Sequence, residues 1–248
     1  MTKDGTAETK TTDHIVVTGT APSEFELTVD GTDAAANVTL NNVMVDNSTD
    51  SSVTTTGKPG MTVKGTVNLT LEGQNTLSGG YCCAGLYKVS SQEILTITGS
   101  GDLTATGGHA GAGIGGNLDK DGGNITFQGT GKITAKGSAG IGGGAHKGGY
   151  SIKIYSGTII ATGVDNSAGI GGGTQGWGTN IYIYDGDVTA TGQAAGIGGG
   201  FDGGCSGVYI AGGIVKATGY RSGIGSGYDE PCKNVHITNG TVTAICTG

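Results

Sequence analysis

One short phrase, Gly-Ile-Gly, recurs through the second half of the chain at an almost constant interval. Its isoleucines are Ile114, Ile141, Ile170, Ile197 and Ile224. Successive copies lie about 28 residues apart, and self-similarity at a period of roughly 20–50 residues indicates a stack of structural repeats. In such a stack the shared residues are expected to hold neighbouring repeats together, and recognition is expected where the repeats differ.

Between the Gly-Ile-Gly copies, each repeat carries two short segments in which apolar and polar residues alternate. The first reads Asn-Ile-Tyr-Ile over 180–183 and Asn-Val-His-Ile over 234–237, and the second reads Asp-Val-Thr-Ala over 187–190. Alternation with a period of two is typical of β-strands that bury one face. Three short strands per repeat, counting Gly-Ile-Gly, predict an all-β, right-handed parallel β-helix of roughly eight turns of about 28 residues.

Weaker copies of the same pattern extend the predicted solenoid toward the N-terminus. Val67, Leu69 and Leu71 are followed by Leu86, which takes the place of the isoleucine. We therefore expect one solenoid domain over residues 31–248, best defined over 110–248, with an N-terminal cap or first strands in residues 1–30. Solenoid ends expose strand edges unless they are capped. No obvious cap follows the last repeat, so we expect either that the natural polypeptide continues or that this end associates with something.

Composition and charge exclude several classes of function. The chain has 54 Gly but only 3 Pro, and its net charge is −7 with Arg221 as the single arginine. A chain without a stripe of basic residues is not expected to bind nucleic acid. No apolar run approaches the ~18 residues of a membrane-spanning helix, and the N-terminus lacks the apolar core of a signal peptide. Membrane insertion is therefore not expected.

The repeats also resemble a known group of modules. Ala-Gly-Ile-Gly-Gly-Gly occurs at 139–144, 168–173 and 195–200, with strands of the Val-Thr-Ala type between the copies. This pattern is similar to the GIGGG-type β-helix repeats of large, adhesin-like surface proteins of gut Firmicutes and related bacteria, over roughly residues 84–248. The resemblance implies an extracellular module at the bacterial cell surface, either secreted or wall-anchored. Because the motif is structural, it does not name a ligand.

Alignment of the repeats on their isoleucines gathers aromatic and basic residues on one outer face. If Ile181 and Ile183 point inward, the residue between them points outward. The predicted ligand-binding residues are Lys153, Tyr155, Tyr182, Tyr184, Tyr209 and His236 on the strands, and Trp177 in a preceding loop. Exposed aromatic rings with polar tips favour recognition of sugars and proteins. The alternative is cross-strand stacking that only stiffens the sheet.

These residues favour a non-catalytic extracellular binding or adhesin module that recognises a glycan or a host protein, such as mucin or immunoglobulin. A structural spacer is the first alternative, and a polysaccharide-active β-helix enzyme is the second. Catalysis is disfavoured because Arg221 lies in a connecting loop, and because Asp185 and Asp187 flank a turn. No cofactor is expected. Ca²⁺ bound by acidic loops stays an alternative, although no loop has the alternating-Asp spacing of an EF-hand.

One pair of the five cysteines is spaced by a single repeat. Cys205 and Cys232 follow the isoleucines of their respective repeats at the same offset. Stacked turns place such a pair about 4.8 Å apart at Cα, which is within reach of a disulfide. A reduced pair in the stack is the alternative. No metal site is expected, because no Cys-x-x-Cys pair has a second half.

Overall fold

The computed structural model describes residues 14–49, 57–90 and 92–248, and all regular secondary structure in this part is β-strand. Strands of successive turns pair in parallel and in register, so the chain forms a parallel β-helix of about eight turns. The predicted fold is therefore confirmed. No helix in these ranges is long and apolar enough to cross a membrane. Residues 1–13 of the predicted N-terminal cap lie outside the described residues.

The regular turns contribute one strand to each of three faces, which we call A, B and C. Face A contains β1 (His14–Thr20), β6 (Leu95–Gly99), β9 (Gly122–Phe127), β12 (Gly149–Ile154), β15 (Gly178–Ile183), β18 (Cys205–Ile210) and β21 (Cys232–Ile237). Face B contains β4 (Gln74–Ser78), β7 (Asp102–Thr106), β10 (Lys132–Gly137), β13 (Thr158–Gly163), β16 (Asp187–Gly192), β19 (Ile214–Gly219) and β22 (Thr241–Cys246). Face C contains β5 (Leu86–Lys88), β8 (Ile114–Gly115), β11 (Ile141–Gly142), β14 (Ile170–Gly171), β17 (Ala195–Gly198) and β20 (Ser222–Gly225).

Two long strands form the first turns by continuing around the corners. β2 (Leu27–Asp46) pairs with β3 (Met61–Glu72) on faces C and A, and its end pairs with β4 on face B. β1 adds to the outer edge of β2 on the N-terminal side. On face C, Leu86 pairs with Ile114, so the weak upstream repeats are genuine turns of the same coil.

The interior consists of columns in which like side chains stack on like. Ile141 pairs with Ile114 on one side and with Ile170 on the other, and all three are fully buried. On face B, Ala135 pairs in the same way with Ala161. Full burial of each isoleucine contributes about 1.5–3 kcal/mol. In-register stacking of a repeated apolar residue is therefore what stabilises the coil.

The two glycines that flank each buried isoleucine are required for different reasons. The second glycine has positive φ, as at Gly142, where φ is +138°. A Cβ on Gly142 would lie 2.0 Å from the carbonyl oxygen of Gly171 in the next turn. The first glycine, such as Gly140, is not among the positive-φ residues, but a Cβ there would lie 2.5 Å from the amide nitrogen of Thr162. Positive φ is therefore found at the second glycine only, and the first glycine is needed for close approach of the next turn.

A left-handed residue near the start of the five face-A strands β9, β12, β15, β18 and β21 determines which side chains point outward. Asn180 has φ +55° and interrupts the strand register. Thr179 pairs with Ser206 and Ile181 pairs with Val208, whereas Asn180 is skipped in the Cα register between β15 and β18. Equivalent positive-φ residues are Asn124, Ser151, Gly207 and Asn234. Asparagine and glycine tolerate this left-handed conformation better than other residues. The strand beyond this residue then alternates strictly, with apolar residues inward.

Loops from both ends of face C fold back over its outer surface and bury the Gly-Ile-Gly backbone. The amide of Ala145 donates to the carbonyl of Ala110 (2.9 Å), and the amide of Phe201 donates to the carbonyl of Asn166 (2.9 Å). Each of these hydrogen bonds joins a loop that precedes face C to one that follows it. The loops therefore form a ridge along the solenoid, on the outside of face C.

One charged side chain, Lys88, interrupts the apolar interior. It pairs with Val63 on face C and is completely buried. Its ammonium donates to the carbonyl of Ser90 (2.5 Å) and lies 4.0 Å from the Glu93 carboxylate. Burial, opposed by the Glu93 charge, lowers the pKa of Lys88. The charged form is therefore less favoured in the folded chain than in water.

This burial predicts a pH-dependent stability that Lys88→Met should remove. A base with a lowered pKa binds fewer protons when folded than when unfolded, so stability rises with pH between the two pKa values. We expect the urea midpoint of the native chain to rise from the lowered pKa up to the ordinary value of 10.5. Lys88→Met should lack this rise, because the side chain that titrates is gone. An equal alkaline rise in both chains would contradict the assignment.

Candidate ligand-binding surfaces

Five of the predicted ligand-binding residues form one continuous stack of rings on face A. We call Tyr155, Tyr182, Tyr184, Tyr209 and His236 the tyrosine ladder. Its centroid distances are 4.5 Å for Tyr155–Tyr184, 6.2 Å for Tyr182–Tyr184, 4.9 Å for Tyr182–Tyr209 and 5.3 Å for Tyr209–His236. The parallel register of β12, β15, β18 and β21 brings these rings together. The ladder therefore runs along the solenoid axis across four turns.

The rings of the ladder are nearly parallel, which limits what they can present to a ligand. Ring planes of neighbouring pairs differ by 4–11°. Rings in adjacent turns therefore face one another, whereas Tyr182 and Tyr184 lie side by side in one turn with centroids 6.2 Å apart. Ring edges and phenolic hydroxyls are left to face outward. Partial burial, and then the neighbouring Tyr155, raises the pKa of Tyr184. Its hydroxyl therefore stays protonated at neutral pH and serves as a hydrogen-bond donor or acceptor.

The two other predicted residues lie beside the ladder. Lys153 is half-buried on β12 and pairs in register with Tyr182. Trp177, which is 41% exposed, precedes β15 and makes none of the ladder's ring contacts. Its indole ring covers Gly204 of the next turn, where a Cβ would come within 2.8 Å of it. Lys153 thus extends the ladder row, whereas Trp177 packs against the adjacent loop.

Cys205 and Cys232 lie in register on β18 and β21. The structure joins them as a disulfide with a Cα–Cα distance of 4.4 Å. The link ties two successive turns together on face A, and Tyr209 and His236 lie in the same two strands. The cysteines of the described chain outside this disulfide are Cys82 and Cys83, which are buried, and Cys246, which is exposed.

The structure also shows an aromatic cluster that was not predicted from the sequence. The guanidinium of Arg221 lies 4.9 Å from the ring centroid of Tyr228, 5.2 Å from that of Tyr220 and 5.4 Å from that of Phe201. Phe201 and Tyr228 are themselves stacked, with centroids 5.5 Å apart. Phe201 and Tyr228 occupy equivalent positions in successive repeats, so their spacing in the sequence could have predicted that they stack. The cluster places cation–π contacts around the single arginine of the chain.

Asp185 and Arg221, which were considered for catalysis, lie in a turn and a bend of the backbone. The Asp185 carboxylate accepts a hydrogen bond from the amide of Gly186 (2.8 Å), which stabilises the turn between β15 and β16. Arg221 lies in the bend before β20, as expected. In residues 14–49, 57–90 and 92–248, no group of three or more His, Cys, Asp or Glu side chains is placed to hold a metal ion.

Comparison with known proteins agrees with this architecture. The family model described as a beta helix repeat matches five segments, residues 95–118, 128–145, 152–174, 181–201 and 208–228. A search of curated proteins and a search of solved structures each found no match to the chain. The matched segments include Tyr182, Tyr184 and Tyr209, whereas Trp177 and His236 lie outside them. Sequence comparison and structure both identify the chain as a repeat module with the β-helix fold.

Proposed function

We propose that this β-helix repeat protein is a non-catalytic, extracellular binding module of a bacterial surface protein, and that the tyrosine ladder is its recognition surface. The ligand is a glycan or a host protein. The observation that carries this proposal is the continuous stack of rings from Tyr155 to His236 on an outer face. Tyrosines that supply apolar area and a hydroxyl at low entropic cost are favoured at recognition surfaces.

The ring geometry indicates how this surface makes contact. Because the rings cover one another's faces, hydroxyls and ring edges are the groups available along most of the ladder. A ligand is therefore bound mainly by hydrogen bonds to the row of tyrosine hydroxyls, with Lys153 and His236 at the two ends of this row. Ring stacking against a sugar is restricted to the ring faces that no neighbouring ring covers. This pattern favours a flat, hydrogen-bonding partner surface over a deep sugar cleft.

The same stacking supports the spacer as a second candidate. Aromatic pairs of this kind contribute about 0.5–1.5 kcal/mol each without any ligand. Four such contacts along one face stiffen the rod, which suits a module that holds another domain away from the cell wall. The two candidates differ in one respect that can be measured, since only the first requires a ligand.

The test is a binding screen of the purified chain against a glycan array, mucin and immunoglobulin. Tyr182→Ala combined with Tyr184→Ala removes the centre of the ladder. We expect affinity for a ligand found in the screen to fall at least tenfold, because truncation of central interface residues costs ~2 kcal/mol or more. Circular dichroism and thermal unfolding would verify that the variant keeps its fold.

Thr189→Ala combined with Thr191→Ala is the matched control, because these residues point outward on face B in the same turn. This control should bind as the native chain does. Binding that survives loss of the two tyrosines would locate the site elsewhere. Absence of any ligand would favour the spacer, and release of sugar from a polysaccharide would favour an enzyme.

A further inference from the structure

The ridge outside face C contains a groove that shares no residue with the tyrosine ladder. Its volume is ≈ 290 Å³, and its lining includes Tyr81, His109, Leu118, Ala145, His146 and Asp165. These residues come from loops of several successive turns, in the middle of the solenoid rather than at an end. The volume is near the lower limit of roughly 300 Å³ for small-ligand pockets, which suits a ligand of one or two sugar rings.

One wall and the floor of the groove provide apolar surface. The rings of Tyr81 and His109 are stacked with centroids 5.2 Å apart and planes 7° apart. Ala110, Leu118 and Ala145 add small or apolar side chains to the lining. Ala110 and Ala145 are joined by a backbone hydrogen bond, so this part of the floor is held in place. An apolar floor beside an aromatic wall fits the C–H face of a pyranose ring.

The rim of the groove provides fixed polar groups. Nδ1 of His146 lies 2.8 Å from a carboxylate oxygen of Asp119, and the two side chains are 50% and 61% exposed. The carboxylate orients the imidazole and leaves Nε2 for another partner. Asp165 is the carboxylate that lines the groove itself, whereas Asp119 contacts the lining residue His146. Carboxylates and an oriented imidazole are suitable partners for sugar hydroxyls.

Four residues that line the groove have a left-handed backbone conformation. Cys82, Ala110, His146 and Asp165 all line the groove and have positive φ, between +51° and +68°. For Ala110 this conformation is unfavourable, and glycine, which the chain uses 54 times, would adopt it freely. Such conformations concentrate at functional sites, where the surroundings hold them in place.

We propose that this groove is a second binding site, and that it takes a neutral mono- or disaccharide. An apolar face for the ring and hydrogen-bonding groups at the rim match the two sides of a sugar. Asp119 and Asp165 contribute negative charge, which disfavours a sugar acid. The groove shares no residue with the tyrosine ladder, so this proposal does not depend on whether the ladder binds a ligand.

The test uses nuclear magnetic resonance of the full chain with four probes, the methyl glycosides of glucose, galactose, mannose and N-acetylglucosamine. At least one glycoside is expected to shift the ring signals of both His109 and His146 saturably. His146→Asn and Asp119→Asn should weaken this binding at least tenfold. Both positions have positive φ, which asparagine tolerates, so these variants should stay folded. Tyr182→Ala with Tyr184→Ala should leave the shifts unchanged.

Four results would overturn the proposal. They are no saturable shift with any of the four glycosides, unchanged binding in both asparagine variants, glucuronate bound as tightly as the neutral sugars, and shifts that appear only after addition of ZnCl₂. The last result would identify the groove as a metal site. Failure of the ladder screen leaves these measurements unaffected, because no ladder residue lines the groove.

Discussion

Gly142→Ala is expected to lower the free energy of unfolding by about 4 kcal/mol. Its Cβ would lie 2.0 Å from the carbonyl oxygen of Gly171, and φ of +138° is unfavourable for any side chain. Strained backbone costs about 1–3 kcal/mol and overpacking adds a similar amount. For a chain of this length the melting temperature should fall by about 10 °C, which differential scanning calorimetry would measure.

Gly225→Ala is the matched control for this prediction. Gly225 ends the same motif with φ +156°, but its Cβ would meet only the Ser222 side chain, at 3.0 Å. We expect a loss of about 1 kcal/mol, from backbone strain alone. Equal destabilisation by the two alanines would show that φ, rather than the approach of the next turn, makes glycine necessary.

Ile183→Ala is expected to destabilise the chain by a similar amount, about 4 kcal/mol. Ile183 is fully buried on face A, between Ile154 and Ile210 in register. Truncation of a buried isoleucine removes its transfer free energy and leaves a cavity that close-packed neighbours fill poorly. Urea unfolding followed by circular dichroism would measure the loss. Because each turn contacts only its neighbours, the transition should also broaden as the two halves uncouple.

Ile237→Ala offers a comparison at the same position in a different environment. Ile237 is equivalent to Ile183 by register, but it lies in the last face-A strand and is 51% exposed. We expect a loss below about 1 kcal/mol, because little apolar surface returns to water. A large loss at Ile237 would mean that the chain is held together through this end, for example by association between copies.

The regular repeats made the interior of this protein predictable from sequence. Equivalent positions of Ile141 and Ile170 in their repeats were sufficient to predict that they stack, because a parallel coil brings equivalent residues into register. The same alignment predicted that Tyr182 and Tyr209 are neighbours on an outer face. Whether this face binds a ligand stays a prediction, since stacking serves both recognition and stiffness.

The loops were less predictable, because their lengths vary and their backbone leaves the regular pattern. Nothing in a linear reading shows that loops before and after face C meet above it, or that Tyr81 and His146 line one groove. The direction in which Trp177 packs also depended on a glycine in the next turn. These contacts follow from left-handed residues such as Ala110, which alternation cannot reveal.

Sequence alone therefore determined the coil and its period. Apolar residues that recur at the same position of every repeat can all be buried together only by stacking in register. Only the tertiary structure decided which groups are exposed on the surface and how they are arranged. It turned the tyrosine faces toward one another, folded the loops into a ridge, and grouped Arg221 with three rings. Burial is set by a residue's own chemistry and spacing, whereas the ring faces and loop contacts depend on the conformations of neighbouring turns.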